Sequence, residues 1–275
     1  MKADLHLHTK ESDGCLSVEE IIQEAFQKDI KVISITDHQT TAGSDKAISL
    51  AKEYGIKVIP GVEIDTVFQD EEIHLLGYFK TTDNDLLQEK LKHFRNETTN
   101  NTKLMVQKLQ QNGLPIRWEE IIKTADNEGV IRKTHIYYAI NANPALSYLK
   151  WDEISSWFLP GGIAYVPYKE NYYFDVVNWI LSSGGLPVLA HPGLIKNQST
   201  ISKLLSYGPI GLEVYYGYWE QPHKRINYYK RLSQDLTLIA TGGSDFHGYF
   251  SKVGIGEVDI PDYCIDELKK YLEIE

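Results

Sequence analysis

Hydrophobic and polar positions in this chain follow two periods. Short β-branched runs recur as KVISITDH, IKVIPGVEI, EIHLLGYF, GLPVLAHPG, GLEVYYGY and LTLIATGGSDFH. Runs of this length, bounded by Gly, Pro and Asp, predict strands. Between several of them lie segments with helical spacing, such as SVEEIIQEAFQKD and TTAGSDKAISLAKEYG. In the first, Ser17 can cap the helix and Glu20 complete a capping box, which would turn Ile21, Ile22, Ala25 and Phe26 toward a sheet. The alternation predicts a parallel α/β sheet or barrel. From about Asp83 to Trp157 the chain is instead rich in Lys, Gln, Asn and Glu, with helical periodicity and no convincing strand. We therefore expect a barrel in two parts, residues 1–82 and 166–275, around a small helical insertion at 83–165 that caps the substrate.

The polar residues that end these runs carry the chemistry. His38 ends KVISITDH, Glu63 ends IKVIPGVE, His191 ends LPVLAH, and Asp245 and His247 follow LTLIATGGS. In parallel barrels the active site gathers at the C-terminal strand ends, so residues distant in sequence should converge there. In the ADLHLHT stretch alternate residues share a strand face, so Asp4, His6 and His8 can address one point. Six of the nine histidines stand at such positions: His6, His8, His38, His74, His191 and His247. One histidine would read as an ordinary hydrogen-bonded residue. Six beside carboxylates would be costly to bury unpaired, and metal satisfies them. Imidazole and carboxylate without thiolate suit Mn, Fe, Zn or Co, and a carboxylate such as Glu63 can bridge ions about 3.5–4 Å apart.

Composition narrows the rest. A chain of 275 residues can hold one large domain or a core with an insertion. Cys15 and Cys264 match no zinc or redox spacing and read as thiols in a reducing cytoplasm, Cys15 as a packing residue. The start MKADLHLH has no basic leader before an apolar stretch, and no run of eighteen apolar residues follows, so a soluble cytoplasmic protein with no membrane association is expected. The formal net charge of −10 disfavours a broad basic face for long duplex nucleic acid and favours a compact substrate. Bound divalent ions would reverse the local sign of an acidic pocket.

The phrases DLHLHT, SDG, ITDH, GVE, HLLGY, AHPG and GGSDFHG occur in the order in which they occur in the PHP (polymerase and histidinol phosphatase) domain, and the chain resembles that family over almost its whole length. The resemblance implies a distorted (β/α)7 barrel with two to three divalent ions, Mn, Fe or Zn, at the strand ends. Carried over by position, it implies that His6, His8, Glu63 and Asp245 hold a first ion. Glu63 would bridge to a second held by His74 and His191, and Asp13, His38 and His247 would hold a third. The stretches IRKTHI, SSWFLPGGIAYVP, SSGGLPVLAHPG and GLEVYY are most similar to the branch that hydrolyses nucleoside 3′,5′-bisphosphates and trims short RNA from its 5′ end. In that branch an arginine and a histidine touch substrate, and Arg132 and His135 occupy those places. Leu194 and Ile195 stand where relatives often have Arg-Tyr, Tyr216 where they often have His, and Thr134 where they have Pro.

The expected activity is hydrolysis of a phosphate monoester on a small nucleotide, most specifically the 3′-phosphate of a nucleoside 3′,5′-bisphosphate. Attack would come from a metal-bridging hydroxide, with Asp245 and His247 at the reacting centre. Arg132 could grip phosphate with two parallel hydrogen bonds or lie on the surface of the insertion. His135 could protonate the leaving oxygen or bind phosphate, or else pack beside Tyr137 and Tyr138. Lys169 and Lys196 are candidate phosphate contacts against a background of solvated lysines, and Asp37 reads as similarly solvated. Asp4 could orient a ligand imidazole or make a strand-end hydrogen bond. His93 and His223 sit in polar contexts without an assigned role. The competing readings are a 5′–3′ exonuclease on short oligonucleotides, a histidinol-phosphate phosphatase and a non-catalytic metal-binding module. The sequence leaves the oligomeric state undecided.

Overall fold

The strand-like runs become strands β1 (Ala3–Leu7), β2 (Val32–Ile35), β3 (Lys57–Val58), β4 (Gly61–Phe68), β5 (Glu71–Tyr78), β6 (Leu186–Leu189), β7 (Gly211–Tyr216) and β8 (Ala240–Gly243). This is a computed structural model, and it describes residues 1–125, 129–146, 148–167, 171–208, 210–218, 220–248 and 251–274. A parallel sheet runs β1-β2-β3, and a five-stranded sheet runs β4-β5-β6-β7-β8. Single bridges, Leu7 to Phe246 and His38 to Glu63, join the two sheets at both seams.

The all-parallel expectation fails in the second sheet, where β5 runs antiparallel to both of its neighbours, β4 and β6. The reason is local. Gln69 and Asp70 have φ of 51° and 64°, the paired left-handed conformation of a two-residue hairpin turn whose twist matches its strands. The run IKVIPGVEI is likewise not one strand. It breaks at Ile59 and Pro60, so Lys57–Val58 pairs with β2 while Gly61 onward pairs with β5. Glu63 consequently lies inside β4, not at a strand end as its position in the run suggested.

Helix α1 (Val18–Gln27) begins as expected: Ser17 Oγ accepts from Glu20 N, and Glu20 accepts from Ser17 N. Such a cap contributes about 1 kcal/mol. Val18, Ile21, Ile22 and Ala25 are buried, but Phe26 is 55% exposed and edges against Tyr54. At 3.6 residues per turn Phe26 lies roughly a quarter turn off the buried stripe, which is why it misses the core. Helix α2 (Ala42–Leu50) follows β2.

Between 83 and 157 the described residues form only helices: α3 (Asp85–Gln111), α4 (Trp118–Ile122), α5 (Lys133–Ala142), α6 (Trp151–Trp157) and a 3₁₀ turn at Pro144–Leu146. They bury an apolar cluster that includes Val106, Leu109, Ile136, Ile140, Ile154 and Trp157. The chain then returns through α7 (Tyr173–Ser182), which precedes β6, and through α8 (Ile201–Leu205), α9 (Pro222–Asp235) and α10 (Asp262–Tyr271), which follow β6, β7 and β8 in turn. Among the described residues, no helix is long and apolar enough to cross a membrane.

The two ends of the chain meet at the β1–β8 seam. His8 N donates to Phe246 O at 3.0 Å, and Asp245 N donates to His6 O at 2.9 Å. Contact is so close that a Cβ on Gly243 would fall 2.3 Å from His6 Cβ, so only glycine fits there. At the other seam Gln39 N donates to Glu63 O at 2.8 Å and Glu63 N to Thr36 O at 3.0 Å, which sets His38 beside Glu63.

Candidate metal centre

These seams bring nine polar residues into three adjoining groups, and His38 and His74 form a fourth with Asp65. His6, His8, Glu63 and Asp245 form one, Glu63, His74 and His191 a second, and His8, Asp13, His38 and His247 a third. Within each group the nearest nitrogen and oxygen atoms lie within 4.8 Å of one another. Glu63 is the hub. Its Oε2 lies 3.1 Å from His8 Nε2, 3.1 Å from His38 Nε2 and 3.3 Å from His6 Nε2, while its Oε1 lies 3.0 Å from His74 Nδ1 and 3.2 Å from His191 Nε2. Asp245 Oδ1 sits 3.1 Å from His8 Nε2 and 3.3 Å from His6 Nε2, buried and without a hydrogen-bond partner. Two of these residues adopt left-handed backbone, Asp245 at φ 54° and His191 at φ 28°, the kind of strain that persists where function requires it.

Four of the six rings turn one nitrogen toward an acceptor. His6 Nδ1 meets Glu213 Oε1 at 2.8 Å, and His247 Nδ1 meets the Asp245 carbonyl at 2.9 Å. His74 Nε2 meets Glu72 Oε1 at 3.1 Å, and His38 Nδ1 lies 2.9 Å from Asp65 Oδ1. A neutral ring that donates outward leaves a lone pair on its inward nitrogen, and His6 Nε2 lies 3.1 Å from His8 Nε2. This carboxylate–imidazole pattern is how proteins orient metal ligands. The inward lone pairs, the orphaned Asp245 Oδ1 and the thiolate-free donor set fit divalent cations of the Mn, Fe or Zn kind.

Electrostatics agree with a site waiting for positive charge. Burial acts to raise the Glu63 carboxyl, yet the imidazoles around it hold it well below the usual carboxylate range. Burial lowers His8, but Asp245 and Glu63 outweigh it and raise the ring to about 9; Glu63 and Glu72 likewise raise His74 to about 10 against burial. His38 goes the other way, to about 4, through burial and the nearby Arg132.

Three residues that the sequence pattern did not single out support the cluster. Glu213, buried in β7, accepts from the His191 backbone N at 2.7 Å as well as meeting His6. Asp65, two residues past Glu63, and Glu72 back His38 and His74. A charged residue inside an apolar strand, as in GLEVYY and GVEID, was the available signal. Asp4 orients no imidazole. It accepts from the backbone N–H groups of Ser244 and Gly256, the strand-end alternative. Asp37 is not solvated but fully buried, accepting from Thr9 N, Thr9 Oγ1 and Ser12 Oγ at 2.6–2.7 Å, which pins the loop between His8 and Asp13. Tyr216 Oη donates to Asp245 Oδ2 at 2.9 Å.

The start of α5 docks on this cluster. Arg132 is 3% exposed, with Nη1 on Asp13 Oδ2 at 2.8 Å and Nη2 on Asp65 at 2.8 and 2.9 Å. Breaking such a buried pair costs about 3–5 kcal/mol. His135 is buried and accepts from Arg132 N at its Nδ1. Thr134 Oγ1 and Tyr138 Oη also reach Asp13. The cation of this turn that faces a cavity is Lys133, which pairs with Glu72. That cavity, about 580 Å³, adjoins His74 and His191; Lys196 stands at it, and Met105, Phe158 and Tyr165 supply an apolar wall. Lys169 lies outside the described residues. His93 and His223 stand apart from the cluster, and Cys15 is a half-buried thiol that burial pushes up, consistent with a packing residue.

Comparison with known proteins agrees with this geometry. A phosphoribosyl 1,2-cyclic phosphate 1,2-diphosphodiesterase of Eggerthella lenta is 27% identical over 92% of this chain and 97% of its own. A 3′,5′-nucleoside bisphosphate phosphatase of Chromobacterium violaceum is 28% identical over 89% of this chain and 86% of its own. A 5′-3′ exoribonuclease of Escherichia coli is 29% identical over 89% and 84%. The solved structure of a candidate metal-dependent phosphoesterase from Bifidobacterium adolescentis superimposes with a TM-score of 0.83 at 26% identity, covering 98% of this chain and 96% of that one. The PHP domain model matches residues 4–151, more than half of the sequence, and the chain belongs to the PHP domain family.

Proposed function

We propose that the chain is a metal-dependent phosphoesterase that removes the 3′-phosphate from a nucleoside 3′,5′-bisphosphate. The observation that carries this reading is the convergence of nine imidazoles and carboxylates, five of the imidazoles on Glu63, beside a cavity of nucleotide size. In this reading the bridged sheets are the wall of one distorted (β/α)7 barrel, with residues 83–165 a helical subdomain set into it. His6, His8, Glu63 and Asp245 would hold a first ion, Glu63, His74 and His191 a second, and Asp13, His38 and His247 a third. When bound, the ions supply Lewis acidity and positive charge for attack of water on the phosphoryl group.

The chain's own residues do the rest. Glu213, Glu72 and Asp65 hold the outward nitrogens of His6, His74 and His38 and so aim the inward ones. Tyr216 holds one oxygen of Asp245 and leaves the other turned to His6 and His8. Lys133 and Lys196 are placed to meet the second phosphate in the cavity, and the apolar wall excludes water from the nucleoside. Arg132 Nη1 and Nη2 and His135 Nδ1 are engaged within the protein, so no phosphate contact is assigned to those atoms. The resemblance to an exoribonuclease supports short 5′-phosphorylated RNA as a second substrate of the same site.

The test is phosphate release by Mn-loaded protein from adenosine 3′,5′-bisphosphate, 5′-AMP, histidinol phosphate, phosphoribosyl 1,2-cyclic phosphate and a short 5′-phosphorylated RNA. We expect the bisphosphate to give the highest kcat/KM. Preference for histidinol phosphate or for the cyclic phosphate would overturn the substrate assignment.

A further inference from the structure

We infer that Arg132 is a positioning residue for the third ion site, acting through Asp13 and Asp65. The inference rests on the metal reading above. Arg132 pairs with both carboxylates at once. It takes Asp13 Oδ2, which Thr134 Oγ1 also takes at 2.8 Å, and leaves Asp13 Oδ1 facing His247 Nε2 at 3.4 Å, His8 Nδ1 at 3.9 Å and His38 Nε2 at 4.0 Å. It spans both oxygens of Asp65, whose Oδ1 lies 2.9 Å from His38 Nδ1. One guanidinium thus sets the direction of one ligand of the third group directly and of a second through one intervening carboxylate.

The alternative, a guanidinium that grips phosphate, would require Arg132 to leave two carboxylates that are themselves 0–1% exposed. A planar fork is needed for this arrangement, since the two acids occupy separate nitrogens of one side chain. The sequence context matches: Asp65 and Arg132 each stand in a stretch, GVEID and VIRKTH, that the hairpin and the α5 start bring face to face.

The experiment compares wild type, Arg132→Lys, Arg132→Gln and the double variant Arg132→Gln/Asp65→Asn, which removes one charge of each sign and so guards against simple misfolding. Mn²⁺ binding is followed by electron paramagnetic resonance and by metal analysis after dialysis, with thermal melts and with kcat and KM measured separately. Arg132→Gln and the double variant should weaken one Mn²⁺ equivalent by about 10–100-fold, the range for groups that orient ligands, and leave the others unchanged. The loss should appear in kcat, with KM held, and Arg132→Lys should rescue it only in part. Unchanged Mn²⁺ binding with a raised KM would make Arg132 a phosphate contact and overturn the inference alone. Wild-type protein that retained no Mn²⁺ would overturn the metal reading and this inference with it.

Discussion

Glu63→Gln is expected to abolish metal retention and lower turnover by at least about 10²-fold, beyond the 10–100-fold typical of groups that merely orient ligands. Glu63 is the carboxylate shared by two of the groups, and five imidazole nitrogens lie within 3.3 Å of its oxygens. The amide keeps the shape but loses the charge, and one of its two ends becomes a donor facing nitrogens that carry lone pairs. The backbone should survive, because Glu63 N and O bond to Thr36 and Gln39 through the main chain, which the substitution leaves intact. Metal analysis together with phosphate release checks this. Wild-type metal content and wild-type turnover in the variant would remove Glu63 from the account.

The metal-free protein should lose stability as pH rises through about 9 to 10 and should release protons when it takes up metal. The sign follows from His8 and His74, raised to about 9 and about 10 by Asp245, Glu63 and Glu72 against the opposing effect of burial. A histidine whose folded pKa lies above its unfolded value stabilises the fold fully below about 6.5, and that contribution disappears as pH climbs through the folded pKa. His38, lowered to about 4, acts oppositely: its contribution is present above about 6.5 and is lost as pH falls toward 4. Ligation needs deprotonated rings, so metal must displace the protons on His8 and His74, and affinity must rise with pH. Thermal melts of stripped and loaded protein from pH 6 to about 10 test the first half. Calorimetry in two buffers of different ionisation enthalpy tests the second. A melting temperature of the stripped protein that stays flat over that range, with no proton release on loading, would contradict the charge distribution described here.

How much of this was legible beforehand depends on what each residue's environment required. His6, His8, Asp13, His38, Glu63, His74, His191, Asp245 and His247 stood out because ionisable residues next to apolar runs break the local pattern, and the structure brings all of them together. The box at Ser17 and Glu20 was legible because capping is decided within one turn of chain. Phe26 was misjudged because its spacing alone cannot say how wide the buried stripe is. The antiparallel hairpin was missed because Gln69-Asp70 is not a usual sequence for a turn that needs two left-handed residues. The pairing of Asp65 with Arg132 was opaque for a different reason: Arg132 stood out only as a phosphate or surface cation, and only tertiary contact makes the two a buried pair. Asp37 escaped similarly, since its partners Thr9 and Ser12 lie on another loop.

The most direct test of the central claim is anomalous diffraction from crystals of the Mn-loaded protein. The account predicts peaks at bonding distance from His6, His8, Glu63 and Asp245, from Glu63, His74 and His191, and from Asp13, His38 and His247. Mn-loaded crystals with no anomalous peak among these nine side chains, or with metal bound only elsewhere, would contradict it.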